Sequence, residues 1–138
     1  MNDRIIKYPT RCAGVVLLVA SCLAAPVGMI ADPCETCIAN IPALTHLQDE
    51  YGRRGLVVIG NSWEKPESVR AFVRKMEDRM RYVVVADPEE VLLSRLNALD
   101  AIGGYPYAFP IGGDGKVVWA GHPEDDGLAG AVARTLPR

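Results

Sequence analysis

Apolar residues along the chain recur with two different periods, one typical of helices and one typical of buried strands. Over residues 34–51 they fall at three-residue spacing, which places them on one face of a helix. Residues 56–59 form a short, continuous apolar run, as expected of a strand covered on both faces. The same order then repeats, with apolar residues at helical spacing from Pro66 to Met80 and a second buried strand over residues 82–86.

The second half of the chain predicts another helix and then a change of pattern. Asp87 can cap a third helix, whose apolar stripe of leucines begins at Leu92. Beyond it, two apolar runs over residues 107–111 and 116–120 flank Gly-Gly-Asp-Gly, which predicts a β-hairpin. Pro110 removes one hydrogen-bond donor from the first of these strands. A last amphipathic helix closes the chain.

Alternation of helices and strands, followed by a hairpin and a helix, predicts an α/β fold. Its central sheet is expected to be mainly parallel, with an antiparallel hairpin edge and flanking helices. A chain of 138 residues suits a single domain with one core. The formal net charge of −2 provides no basic surplus for a phosphate backbone, so nucleic-acid binding is not expected.

The N-terminal segment has the layout of an export leader. Three bases (Arg4, Lys7 and Arg11) precede an apolar stretch over residues 12–30, as in a secretory signal or membrane anchor. Val19-Ala20-Ser21-Cys22 resembles a bacterial lipobox, which would make Cys22 the lipid-bearing residue of the mature protein.

A competing interpretation makes residues 15–20 a buried β-strand, which would place the protein in the cytoplasm. One segment cannot be both a cleaved leader and a strand of the mature fold. We favour the leader, because the basic start and the apolar length agree. The chain is therefore divided into a leader over residues 1–31, which contributes the first strand in the competing interpretation, and a domain over residues 32–138.

The candidate chemistry lies in Asp32-Pro33-Cys34-Glu35-Thr36-Cys37. Residues three apart on a helix share one side, so the two sulfurs can form a disulfide. The free N–H groups and partial positive charge of a helix N-terminus stabilise a thiolate on the first cysteine. Cys34 is therefore the expected nucleophile, and the more covered Cys37 is expected to resolve the mixed disulfide.

The residues around the pair are expected to tune it. Asp32 and Glu35 are acidic, and their charge opposes thiolate formation. A less stable thiolate makes the reduced form less favoured, which predicts a reductant rather than a strong oxidant. Thr36 completes the intervening dipeptide and is assigned to the same tuning group.

Two other interpretations of the pair stay open. Paired cysteines are also common ligands of zinc or copper, and they can form a purely structural disulfide. The chain has only two histidines. His46 falls on the opposite face of the predicted helix and is expected to be a surface residue, and His122 is expected to be a turn residue. We therefore predict no metal ligands.

Three segments in this order resemble the TlpA/ResA-like, redoxin-type thioredoxin-fold disulfide reductases. Residues 34–44 resemble the active-site helix of that family, in which a proline five residues after the second cysteine produces a kink; Pro42 holds that position. Gly104-Tyr105-Pro106-Tyr107-Ala108-Phe109 resembles the cis-proline segment, and residues 114–123 resemble the closing hairpin.

The resemblance implies a single thioredoxin-like domain acting as a thiol–disulfide oxidoreductase without a cofactor. Tyr105 and Pro106 would line the substrate groove and keep metals away from the thiols. Partners would be disulfides of other envelope proteins and an upstream thiol reductant. The implied location is periplasmic or membrane-anchored, through the leader or a lipid.

The strand expected just before the cysteine pair is the weakest part of the pattern. Residues 26–31 contain proline and glycine, and Pro33 directly precedes Cys34. A redox-inactive interaction domain with a compromised central strand is therefore one alternative. A thioredoxin-fold copper chaperone that uses Cys34 and Cys37 as soft ligands is another. A peroxidase of the same fold is less favoured, because the two-residue spacing suits dithiol exchange.

Overall fold

The computed structural model describes the backbone of residues 16–21, 35–92, 94, 95 and 106–136, with side chains from residue 37 onward. Four strands, three α-helices with both ends described and two 3₁₀ turns at Gly52–Arg54 and Glu77–Arg79 are defined in these ranges, and the start of a further helix lies at Val91. The strands are β1 (Val16–Ser21), β2 (Leu56–Ser62), β3 (Val83–Ala86) and β4 (Tyr107–Ile111). The helices are α1 (Glu35–Tyr51), α2 (Pro66–Met76) and α3 (Gly127–Thr135).

The strands form one sheet in the order β3-β2-β1-β4. β1 pairs in parallel with β2 and antiparallel with β4, and β2 pairs in parallel with β3. The helices and the mainly parallel sheet confirm the predicted α/β class.

The sheet places Val16–Ser21 at its centre, between β2 and β4. The strand interpretation of residues 15–20 is therefore the one that the structure shows, shifted by one residue. A run of Val, Leu and Ala suits a doubly covered strand as well as a leader, and β2 and β4 each need a hydrogen-bonding neighbour. The remainder of residues 1–31, including Cys22 and the alternative strand over residues 26–31, lies outside the described residues.

Helix α1 packs on the sheet through the face that the sequence predicts. Ile41, Leu44 and Leu47 are buried in the main core, and Ile38 packs against it. Near the C-terminal end of α1, Gln48 joins the helix to β2. Its Nε2 donates to the Leu56 carbonyl at 3.1 Å, and its Oε1 accepts the Val58 N–H at 2.8 Å.

Helix α2 begins at Pro66 as predicted but ends at Met76, short of Met80. Glu77 follows with a positive φ of 49°, a conformation outside the right-handed helix, so the helical pattern breaks there. Met80 lies beyond the 3₁₀ turn and is still buried. The periodicity therefore identified the buried residues correctly and extended the helix too far.

The predicted third helix starts later than expected. Helical backbone begins at Val91, after a turn that includes Glu90 at a φ of 54°. The Asp87 carboxylate still caps this start, because it accepts the N–H groups of Val91 at 3.0 Å and Leu92 at 2.9 Å. Leu96 and Leu99, which continue the predicted stripe after Leu92, lie outside the described residues.

The predicted hairpin is only partly formed. Within residues 106–136, its return segment makes two isolated bridges to β4, Ile111 with Val117 and Ala108 with Gly121, instead of a continuous strand. Pro110 accounts for the interruption: its carbonyl accepts the Val118 N–H at 2.9 Å, but proline has no N–H to return. One extra residue between the two bridges makes a bulge.

The core lies on both faces of the sheet. The larger cluster joins residues of α1, α2 and α3 with Leu56 and Val58 of β2, Val84 of β3 and Ala108 of β4. On the other face, Phe109 is fully buried with Leu92 packed against it. The sheet is therefore covered on both sides, as the predicted continuous apolar runs require.

Candidate active site

One edge of the sheet gathers the segments that the sequence analysis singled out. β1 and β2 both end there, and the register pairs Ser21 with Asn61 on one side and with Tyr107 on the other. Pro106 immediately precedes β4, so it lies at the same edge, and it is buried. In α/β sheets the carboxyl ends of parallel strands are the usual location of a functional site.

Helix α1 begins at this edge as well. Gln48 contacts the first residues of β2, which fixes the C-terminal part of α1 at the opposite edge. At a rise of about 1.5 Å per residue, Cys37 lies roughly 16 Å away along the helix axis. The first turn of α1, with its free N–H groups, is therefore brought to the carboxyl ends of β1 and β2.

Cys37 is the described member of the predicted cysteine pair. It is the third residue of α1, only 4 % of its surface is exposed, and its sulfur is disulfide-bonded. Glu35 and Thr36 are the first two residues of the helix, and the structure describes only their backbone. Cys34, Asp32, Tyr105 and Cys22 lie outside the described residues, so their roles stay predictions.

Pro42 lies inside α1, and the helix continues past it to Tyr51. Its position five residues after Cys37 agrees with the spacing noted in the sequence, and its ring is exposed. A proline in a helix interior removes one main-chain hydrogen bond. The local kink that we expect at this position stays a prediction.

The loop over residues 121–126 reaches the same edge, which sequence reasoning missed. Gly121 bridges to Ala108 near the start of β4, and the loop then runs on beyond that end of the sheet. Glu124 in this loop accepts a hydrogen bond at 3.4 Å from Nδ2 of Asn40, which lies one turn after Cys37. The two residues are 84 positions apart, so no local pattern could have paired them.

The two histidines lie where the sequence placed them. His46 is on the surface of α1, with its side chain 77 % exposed and 3.4 Å from the Glu50 carboxylate. His122 begins a turn: its N–H donates to Asp125, and its Nδ1 accepts the Glu124 N–H. In the part of the chain that the structure describes, no group of three or more His, Cys, Asp and Glu side chains could hold a metal ion.

Two buried polar residues lie at the carboxyl end of β2. Ser62 and Asn61 are both fully buried, and the Ser62 carbonyl accepts the Asp87 N–H at 2.6 Å. Among the described residues, neither polar atom of the Asn61 side chain has a hydrogen-bond partner. Because burying an amide without a partner is unfavourable, this polar end of β2 adds to the case for a site at this edge.

Comparison with known proteins identifies the family to which the chain belongs. The sequence profile of the AhpC/TSA family matches residues 27–120. No curated protein matches the chain. The family match confirms the predicted redoxin resemblance and, with it, the class of enzyme, a thiol–disulfide oxidoreductase.

Solved structures confirm the thioredoxin-like fold. A putative thiol:disulfide interchange protein DsbE from Chlorobium tepidum superposes with a TM-score of 0.67 at 19 % identity, over 89 % of this chain and 81 % of that one. The thioredoxin domain of a Bacteroides vulgatus thiol-disulfide oxidoreductase gives 0.64 at 18 % identity, over 91 % and 81 %. Xanthomonas campestris peroxiredoxin Q gives 0.61 at 19 % identity, over 88 % and 75 %.

Proposed function

Because the chain belongs to the AhpC/TSA family, we propose that it exchanges disulfides with partner proteins through Cys34 and Cys37. The observation that carries this proposal is the state and position of Cys37. It is a buried, disulfide-bonded cysteine in the first turn of a helix that starts at the carboxyl ends of β1 and β2, the edge where Pro106 also lies.

The proposed reaction begins with the reduced pair. The Cys34 thiolate attacks one sulfur of a partner disulfide, forms a mixed disulfide and releases the other partner sulfur as a thiolate. Cys37 then loses its proton and attacks the Cys34 sulfur, which releases the second partner thiolate. The partner disulfide gains two electrons and, after protonation, two protons; the pair loses the same number and becomes a disulfide. An upstream thiol reductant then returns the pair to the dithiol.

The fold supports the division of roles between the two cysteines. Cys37 is shielded by the core side of α1, so a bulky partner disulfide cannot reach it directly. Cys34 precedes the first residue of the helix, where N–H groups lacking an intrahelical partner favour a thiolate. We propose that Tyr105 and Pro106 form the wall against which the partner chain lies.

The direction of transfer is proposed to be reduction of the partner. Asp32 and Glu35 are acidic neighbours of the pair in the sequence, and negative charge nearby disfavours a thiolate. The reduced form is then less stable, so the pair passes its electrons on more readily. A redox potential as oxidising as that of a dedicated disulfide donor would contradict this direction.

We propose that the reaction takes place in the cell envelope, on the resemblance to envelope reductases. Since Val16–Ser21 form β1, an export signal would have to act upstream of residue 16 and leave this strand in the folded protein. Membrane attachment through the segment before β1 remains part of the proposal, whereas lipidation at Cys22 is incompatible with it, because cleavage at the lipobox would remove Val16–Ser21. None of the helices in the described part of the chain has the length and apolar character needed to cross a bilayer.

The proposal is tested by reduction of insulin disulfides in the presence of dithiothreitol. The full chain should accelerate the reaction, and Cys34→Ser should abolish the acceleration. Cys37→Ser should instead accumulate a mixed disulfide with the substrate, visible by mass spectrometry. Cys12→Ser, outside the pair, is the matched control and should leave the rate unchanged. No acceleration by the full chain, combined with stoichiometric Cu(I) binding that Cys34→Ser removes, would favour the copper-chaperone alternative.

A second candidate function is peroxide reduction, favoured by the AhpC/TSA match and by the similarity to peroxiredoxin Q. The Cys34 thiolate would attack a hydroperoxide, giving a sulfenic acid and an alcohol. Cys37 would then condense with the sulfenic acid to form the disulfide and release water. If the protein consumes a hydroperoxide in a reaction that needs both cysteines, and does not reduce insulin, peroxide reduction rather than disulfide exchange would be its function.

A further inference from the structure

A hydrogen bond between distant parts of the chain holds the Glu124 carboxylate one helical turn from Cys37. Asn40 lies on α1 one turn after Cys37, and only 2 % of its surface is exposed. Its Nδ2 donates to Glu124 Oε1 at 3.4 Å, across the gap between α1 and the loop that precedes α3. A buried amide that donates to an exposed carboxylate restricts where that carboxylate lies.

The loop itself is ordered by its own hydrogen bonds. The His122 N–H donates to Asp125 Oδ2 at 3.1 Å, and the Glu124 N–H donates to His122 Nδ1 at 3.2 Å. Gly121 exchanges two main-chain hydrogen bonds with Ala108, which anchors the loop to β4 two residues after Pro106. Three sets of contacts therefore fix the position of Glu124. They are the main-chain hydrogen bonds of its loop to β4, the turn at His122 and the hydrogen bond from Asn40.

The distance to the pair follows from helix geometry. Side chains three positions apart on a helix have their Cβ atoms about 5–6 Å from each other. With the contact from Asn40 to Glu124 added, the carboxylate is on the order of 10 Å from the Cys37 sulfur. At an effective dielectric constant of about 20, a unit charge at that separation acts on a neighbouring thiolate appreciably, even when partly screened by solvent.

We propose that Glu124, positioned by Asn40, holds back thiolate formation at the cysteine pair and so tunes it as a reductant. This inference rests on the proposed function, because it assigns Glu124 a role in the chemistry of that same site. Among the residues whose side chains are described, the titratable groups beside Glu124 are His122, with its Nδ1 4.0 Å from Glu124 Oε2, and Asp125 and Asp126 of the same loop.

The experiment is a thiolate titration of the reduced full-length protein carrying Cys12→Ser and Cys22→Ser, so that Cys34 and Cys37 are its only thiols, followed by absorbance at 240 nm from pH 6 to pH 10. Glu124→Gln removes the charge and keeps the shape, and we expect it to increase the ionisation constant of the pair roughly three- to tenfold. Glu124→Asp keeps the charge and should change it less than Gln does. Glu89→Gln removes an exposed carboxylate after β3, at the same sheet edge, and should change it by less than about 1.5-fold.

Asn40 is tested by a double-mutant cycle. Asn40→Ala should give part of the Glu124→Gln effect on the ionisation constant, and the double variant should equal Glu124→Gln alone if the amide affects the pair through the carboxylate. Thermal melts establish that each variant is folded. Because Glu124 is 67 % exposed, its Gln variant should keep the fold even if Asn40→Ala does not.

The outcomes separate this inference from the function it rests on. The role of Glu124 is overturned if Glu124→Gln changes the ionisation constant by less than about 1.5-fold. It is also overturned if this change is no larger than the one that Glu89→Gln causes. Failure of the wild-type protein to reduce insulin would instead contradict the proposed function, whereas the titration needs only the two thiols and no protein substrate.

Discussion

Removal of β1 provides the sharpest test of how this chain is built. A protein that begins at Cys22, as cleavage at the lipobox would produce, lacks Val16–Ser21 entirely. β2 would lose six residue pairings and β4 would lose five, and β4 would have no neighbouring named strand left among the described residues. The change therefore removes the centre of the sheet rather than an edge.

The magnitude follows from the pairing. A six-residue strand between two neighbours makes on the order of ten main-chain hydrogen bonds. At a net value of roughly 1 kcal/mol each, their loss amounts to about 10 kcal/mol before any loss of packing is counted. Folded domains are stable by about 5–15 kcal/mol in total, so the shortened protein should not fold cooperatively.

Circular dichroism during heating provides the measurement. The full chain, and a matched protein that begins at Arg11 and keeps β1, should each give a cooperative transition. The protein that begins at Cys22 should give a broad, non-cooperative profile and should bind the dye ANS, which marks exposed apolar surface. A cooperative transition for that protein within a few degrees of the full chain would refute the central position of β1 and restore the cleaved-leader interpretation.

Three further predictions concern the stability of the described fold. Gln48→Ala leaves the Leu56 carbonyl and the Val58 N–H of β2 without their side-chain partner, and urea unfolding should show a loss of about 1–3 kcal/mol in the free energy of unfolding. Phe109→Ala leaves a cavity under a fully buried ring and should lose about 3–5 kcal/mol; a loss below about 1 kcal/mol would contradict the second core cluster. The hydrogen bond from Arg81 lowers the pKa of Asp49, so this pair should stabilise the protein above the usual carboxyl pKa and lose its effect as the pH falls through the lowered value. Melting temperatures of wild type and Asp49→Asn should therefore differ slightly at pH 7 and converge in acid, and a difference that persists at pH 2 would argue against this ion pair.

The sequence alone determined most of the local structure and the candidate chemistry. Three-residue spacing identified the buried face of α1, and Leu44 and Leu47 lie in the core as predicted. The Cys-x-x-Cys spacing and the proline before β4 predict the segments of the candidate site, because turn chemistry and the reach of two sulfurs are properties of short stretches of chain. The early end of α2 at Met76 shows the limit of this reasoning, since a buried residue beyond the helix keeps the same spacing.

Only the tertiary structure decided what residues 16–21 do and which distant groups meet at the site. An apolar run of six residues suits a leader and a central strand equally well, and the choice depends on whether β2 and β4 leave a gap that needs a hydrogen-bonding neighbour. The contact between Asn40 and Glu124 likewise depends on the packing of α1 against the loop before α3. Short-range sequence patterns encode helical and strand periodicity and turns. Strand order and long-range contacts arise only when separate segments pack into one core, so they could not be predicted from those patterns.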